Sequence, residues 1–298
     1  MCGQVLGQGD QGSVMLAVGL KEAGAPDFAL NLDGPGGIKE ALAQPDSDMK
    51  AGLLQALRWR VTRRASAGQP HVIAEYVAAD LLDTRGGAGL FHALLCSSEP
   101  TQAEQFARFL ECLSKSSEGR TYLMACNGSL IKEMAAEIKA SSGNTRTSRA
   151  LLQCVQQCSR RSSVQDAAVA AGLVEWLTEQ LNAHADTMSA HSAEYMSALL
   201  VNLAQRSAGR QKCLQVKDRL LPMLVRLCMR ARSRLCMCVC VCVCVCVCAR
   251  ASSSAHVFVA CVHACKTDTP SKDTRAKPDR RRRLRAASCR STCSNTSR

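Results

Sequence analysis

The stretch "QFARFLECL", residues 105–113, recurs in pattern as "ALLQCVQQC", residues 150–158, and as "YMSALLVNL", residues 195–203. Phe106, Leu151 and Met196 stand at a constant offset of 45 residues. So do Phe109, Cys154 and Leu199, then Leu110, Val155 and Leu200, then Leu113, Cys158 and Leu203. Within each copy the four positions fall at i, i+3, i+4 and i+7, which is one stripe of an α-helix. The sequence therefore predicts three equivalent helices, each burying the same face.

A short polar break follows each stripe: "SKSSEGR", "SRRSSVQ" or "AQRSAGR", with Ser117, Ser162 and Ser207 again 45 apart. Serine and glycine there suit helix ends and fresh starts. A second apolar stretch comes next, "TYLMACNGSLIKEM", "DAAVAAGLVEWL" or "QKCLQVKDRLLPML". The copies lose register by two residues around Asn127 and Gly128. A period of 45 lies in the range of armadillo and HEAT repeats, whose units cannot bury their apolar stripes alone and stack to make one continuous core. The expected fold is all-α, an armadillo/HEAT-like right-handed α-solenoid with a disordered N-terminal lead and C-terminal tail.

The expected organisation is a flexible Gly-rich lead over 1–47, helical repeats over 48–235, and a low-complexity tract with a basic tail over 236–298. An irregular first unit, 48–97, begins with "DMKAGLLQALRWRVTRR", in which Asp48 is a candidate helix cap and Leu53, Leu54, Leu57 and Val61 form an apolar stripe. Regular repeats run from about 98. The segment "RLLPMLVRLC", residues 219–228, reads as the opening of a further repeat whose partner helix never arrives.

The net charge of +13 is concentrated in the tail: from Cys236 onward there are 12 Lys and Arg against 3 Asp, which leaves +4 for the first 235 residues. Of 19 cysteines, seven lie in the Val-Cys run, four follow it and eight are spread before it. With no charged, apolar leader at the start, the expectation is a cytosolic chain with reduced thiols. No apolar run reaches the length of a membrane span.

The tract "CMCVCVCVCVCVC", residues 236–248, alternates at period two. A repeated TG dinucleotide read in frame gives Val-Cys-Val-Cys, so the tract and tail read as non-native readthrough. The competing reading is a metal-binding cysteine-rich tail, with Cys261, His263 and Cys265 beside it, since C-x-C spacing can hold Zn or Cu(I). "RRRRLR", residues 280–285, carries the charge of a nuclear-import or nucleic-acid signal, but as part of a non-native tail it means neither.

At the other end, Gly7, Gly9, Gly12 and Val14 fit a kinase-type glycine loop, with Lys21 following. The HRD and DFG motifs that would give the loop its context are missing from the sequence, so it reads as part of the lead.

The segments "LLQALRWRVTR", "AEYVAADLLD", "AGLVEWLTEQL" and "AEYMSALLVNLAQRSAGR" together resemble the family of armadillo repeat-containing protein 9, LisH domain-containing armadillo proteins of the ciliary base and centriole. The resemblance spans about residues 48–229. It implies a non-enzymatic role in cilium assembly and stability with links to hedgehog signalling, located in the cytoplasm and cytoskeleton at the centriole, ciliary basal body and cilium. The implied partners are proteins of the centriole and ciliary base, with no nucleic acid. No LisH dimerisation motif precedes the repeats, so the resemblance leaves the oligomeric state open.

Binding is expected along the outward side of helices near 103–114, 147–159 and 193–206. Asn202 resembles the groove asparagine of peptide-binding armadillo proteins, with Gln157 and Cys112 at its equivalent places and Ala198 where a tryptophan would stand. Asn202 and Gln157 are the candidate partner-binding residues, and an adaptor of the nuclear-transport kind is the alternative function. No catalytic, cofactor or metal residue is assigned: Cys154 and Cys158 align with Phe109 and Leu113 and read as core, Trp59 and Trp176 as packing, His184 and His191 as exposed, and Glu133 with Glu137 as a helix face.

Overall fold

The computed structural model describes residues 31–32, 37–44, 49–63, 69–125, 128–141, 145–184 and 187–230. The glycine motif near the start, Asp48, the Val-Cys tract, Cys261, His263, Cys265 and the arginine run lie outside these residues. Among the described residues every regular element is an α-helix. These are α1 Ile38–Ala43, α2 Lys50–Arg63, α3 Gln69–Ala78, α4 Gly89–Leu95, α5 Pro100–Ser114, α6 Ser117–Leu123, α7 Ser129–Ala140, α8 Arg146–Cys158, α9 Ser162–Ala170, α10 Leu173–Ala183, α11 Ala190–Ala204, α12 Ser207–Gln215 and α13 Lys217–Arg230. The all-α, armadillo-like class is what the sequence predicts.

The local signals for the long helices are explicit. α5 starts with Pro100 in its first turn, where a missing N–H costs nothing. α8 and α11 start behind side-chain caps: the Thr145 hydroxyl accepts from the Ser148 N–H at 3.0 Å and the Ser189 hydroxyl from the Ser192 N–H at 3.1 Å. All twelve positions of the repeated stripe on α5, α8 and α11 are buried, none more than 2% exposed. Leu53, Leu54, Leu57 and Val61 of α2 are buried as well.

The chain divides into two compact units, with the boundary after Leu173. In the first, α2, α5 and α8 pack side by side, α3 packs against α6, α7 against α8 and α9 against α7. Its core is aromatic at one end, where Phe91 meets Phe106 edge to face at 5.2 Å and Tyr76 tilts against Phe109 at 5.9 Å. Arg60 is also buried there, ion-paired to Glu75 and lying 5.5 Å over the Tyr76 ring. In the second unit α11 packs on α12 and α12 on α13, and Lys212 and Arg219 pair with Glu175 and Glu179.

The second apolar stretch of each repeat forms two helices, so that each repeat runs long, short and medium helix in order, and three expectations change. Gly128 and Gly172 split it at φ +84° and +76°, a backbone that L side chains rarely adopt, and in the third copy Val216 holds the break at φ −104°. After the split the copies run 44 residues apart, at Ser129, Leu173 and Lys217, so the loss of register is one residue rather than two.

In consequence "RLLPMLVRLC" belongs to α13, the third helix of the last repeat, and does not open a new one. Residues 38–43, within the span read as flexible lead, form α1 instead. Ile38 and Leu42 sit one turn apart and both are buried, and α1 packs on α2 and α4.

Candidate functional site

The turn that ends each long helix shows how the repeated surface is held. The last carbonyls of a helix lack partners within it. Arg120, Gln165 and Arg210, again 45 apart, reach back from the short helices to supply them. Arg120 Nη1 donates to the carbonyls of Ser114 at 2.8 Å and Lys115 at 3.1 Å. Gln165 Nε2 donates to that of Ser159 at 2.8 Å. Arg210 Nη1 donates to that of Gln205 at 2.6 Å and more weakly to that of Ala204 at 3.5 Å. These clamps fix the angle between a long helix and the next short one, and so the spacing of whatever the long helices display.

The half-buried face of the long helices in the first unit carries a polar lattice. Arg58 of α2 donates to Gln105 Oε1 of α5 at 3.4 Å, and Glu104 of α5 is held by Arg108 of the same helix at 3.4 Å and by Arg146 of α8 at 3.6 Å. Burial, then the neighbouring Arg108, pulls the Arg58 guanidinium below its usual pKa. Such a face offers hydrogen bonds and charge rather than an enclosed cavity.

Gln157 lies half-buried on α8 in the first unit, and Asn202 half-buried on α11 in the second. Their equivalent Cys112 is buried in α5, and burial raises its thiol pKa. Cys154 and Cys158 are core residues too. The Cys154 thiol donates to Cys158 Sγ, and that bond, then burial, raises the Cys154 thiol well above its ordinary pKa.

His184 and His191 are exposed, with His191 edge-on to Tyr195 at 4.5 Å. Trp176 is buried, and Trp59 is half-buried. Glu133 takes part in more than a bare helix face, since it meets His92 Nδ1 at 3.2 Å. Among the described residues no three His, Cys, Asp or Glu side chains gather as a metal site, and no helix is long and apolar enough to cross a membrane.

Sequence reasoning missed a second polar centre, in the 79–88 loop. Asp80 stands at φ +44° and its carboxylate accepts from the N–H and hydroxyl of Thr84 at 3.0 and 3.1 Å and from the N–H of Arg85 at 3.1 Å. The buried Tyr122 hydroxyl donates to Asp80 at 2.8 Å and accepts from the Leu82 N–H at 2.7 Å. Burial pulls the Asp80 carboxyl upward, but the bonds from Tyr122, Arg85 and Thr84 outweigh it and hold the carboxyl below its ordinary pKa. Burial pushes the Tyr122 phenol well above its own. The only local signal is the "DLLDTRGG" turn chemistry; its partner Tyr122 stands 42 residues away.

A family model described as LisH domain-containing protein ARMC9, ARM repeats, matches residues 168–245. The match runs ten residues into the Val-Cys tract, across the boundary expected at 235. Over 189 residues, 63% of this chain, the sequence is 33% identical to the LisH domain-containing protein ARMC9 of Rattus norvegicus, of which 26% is covered. It is 32% identical over 189 residues to the Homo sapiens protein of that name, of which 23% is covered. With that of Danio rerio it shares 29% over 193 residues, 64% of this chain and 23% of the relative. The chain thus spans about a quarter of the length of the relatives it matches.

Proposed function

The chain belongs to the ARMC9 family of armadillo-repeat proteins, and from that premise we propose that it is a non-catalytic scaffold of cilium assembly and stability, stationed at the basal body and centriole and linked to hedgehog signalling. The observation that carries the scaffold reading is the side-by-side stack of the long helices α2, α5 and α8, each with a buried apolar stripe and linked to its neighbour across a polar face. Surfaces of this kind bind extended partners over several repeats. The ciliary address rests on kinship with the relatives, which are longer proteins.

The partner is a protein of the ciliary base, met along the polar face of the long helices of the first unit with Gln157 as a contributor, and Asn202 is the candidate contact of the second unit. A fluorescently tagged form of the chain, expressed in ciliated cells depleted of the endogenous relative, is expected to collect at the basal body and to restore cilium number and length. Diffuse signal with no restoration would overturn the ciliary reading.

A further inference from the structure

A groove of about 520 Å³ opens among the short helices of the first unit, lined by residues of α3, the 79–88 loop, α6 and the turn before α9, and by none of the long helices. Its apolar wall is Val77, Tyr122, Met124 and Ala125. Val77 and Met124 are half-buried and Ala125 is exposed, so they offer contact area to a ligand, whereas Tyr122 is buried. Two arginines, Arg85 and Arg161, line the same groove and both are exposed. Neither is ion-paired to a described residue.

Both are also positioned. The Asp80 carboxylate fixes the backbone of Arg85 through its N–H, and the Arg161 guanidinium donates to the Thr121 hydroxyl at 2.6 Å. The remaining polar lining is Ser117, Thr121 and a single exposed acid, Glu118.

We propose that this groove is a docking site for a short protein segment that presents a carboxylate beside an apolar side chain. The volume is that of a pocket for one or two side chains. Arginine forks pair carboxylates in two-point geometry, and the apolar wall takes the neighbouring side chain. Nucleic acid fits worse: two arginines opposed by a glutamate make a weak phosphate track, and the one ring in the lining is buried with its hydroxyl bonded, leaving nothing on which a base can stack.

The site is particular to this place in the chain. Forty-five residues on from Thr121 stands Asp166, and on from Glu118 stands Ser163, so the next repeat does not reproduce the pattern. The proposal uses the scaffold reading only in requiring a protein ligand, and it holds whether or not that ligand is ciliary.

The test is a selection of random displayed decapeptides against the full chain, with the enriched sequences remade as fluorescent peptides and titrated by anisotropy. Enrichment of Asp or Glu next to Leu, Ile, Val or Phe is expected. Arg85→Gln with Arg161→Gln should weaken the best peptide about tenfold or more, Arg161→Lys should recover part of that loss, and Lys132→Gln with Lys139→Gln, exposed on α7 and outside the groove lining, should change nothing.

Unaltered circular dichroism of the variants shows that the fold survives, and Val77→Asp, which puts a like charge against the acidic peptide, is a second route to the same loss. Failure to enrich any peptide, enrichment of basic peptides, equal loss with the α7 substitutions, or equally tight binding of a single-stranded oligonucleotide would each overturn the proposal. Because this readout is binding in vitro, its failure is separable from failure of the tagged chain to reach the basal body.

Discussion

α5 and α8 occupy equivalent places in successive repeats, bury the same four positions and end in the same kind of clamp, yet they fill their interiors with different matter. α5 brings Phe106 and Phe109, each against another ring; α8 brings Leu151, Cys154, Val155 and Cys158. The turns differ in the same spirit. Gly119 of α6 lies so close to the preceding helix that an added Cβ would fall 2.1 Å from the Leu113 carbonyl oxygen, whereas 45 residues on Val164 is accommodated, fully buried. The repeat thus conserves which places are inside and leaves their volume to be settled locally, one neighbour against the next.

The largest test of that contrast is to empty the two cores. Phe109→Ala should cost about 3–5 kcal/mol by urea denaturation, and Cys154→Ala at the equivalent place about 1 kcal/mol, because far less area is returned to water and a smaller cavity is left. Similar losses at both sites would mean that the aromatic end carries no special share of the stability.

The turn contrast comes next. Gly119→Ala should destabilise by about 1–3 kcal/mol, since backbone must move to admit the methyl, while Val164→Ala leaves the α9 turn in place and loses only packing. A Gly119→Ala protein as stable as the parent would show that α6 can slide away from Leu113. Smaller still is the clamp. Arg120→Ala should cost about 1–2 kcal/mol by leaving the Ser114 and Lys115 carbonyls unpaired, and Arg120→Gln, which copies the residue at 165, should restore much of it. Thermal melts of the three proteins read the difference.

The smallest effect is on pH. Asp80 is held below its ordinary pKa, so its contribution is present above the unfolded value of 3.8 and fades as pH falls from there through the folded value. Tyr122 is held above its ordinary pKa of 10.0, so its contribution is whole below pH 10 and falls as pH rises beyond it. Hydrogen exchange of the Leu82, Thr84 and Arg85 amides should show the corner loosening in acid and again in alkali, with Asp80→Asn removing the acid limb. The turns behind α5 and α8, which hold no carboxylate bonded in this way, should not follow it.

Much of the fold was legible because it is periodic. The spacing of Phe106, Phe109, Leu110 and Leu113, repeated at 45, could be satisfied only by helices sharing one buried side. The clamp residues were in view as well, closing each polar break at positions 120, 165 and 210, but their partners are backbone carbonyls, which sequence does not display. The three-helix division turned on Gly128 and Gly172, whose left-handed backbone is a conformational fact rather than a pattern.

What the sequence determined by itself is the identity of the interior: helical period, buried stripe and repeat length follow from where apolar side chains recur, because water rejects them whatever their neighbours are. Only the tertiary structure decided which distant polar groups meet. Tyr122 with Asp80, Arg161 with Thr121 and the groove between them depend on angles and distances set by packing, and a hydrogen bond a few tenths of an ångström too long is lost.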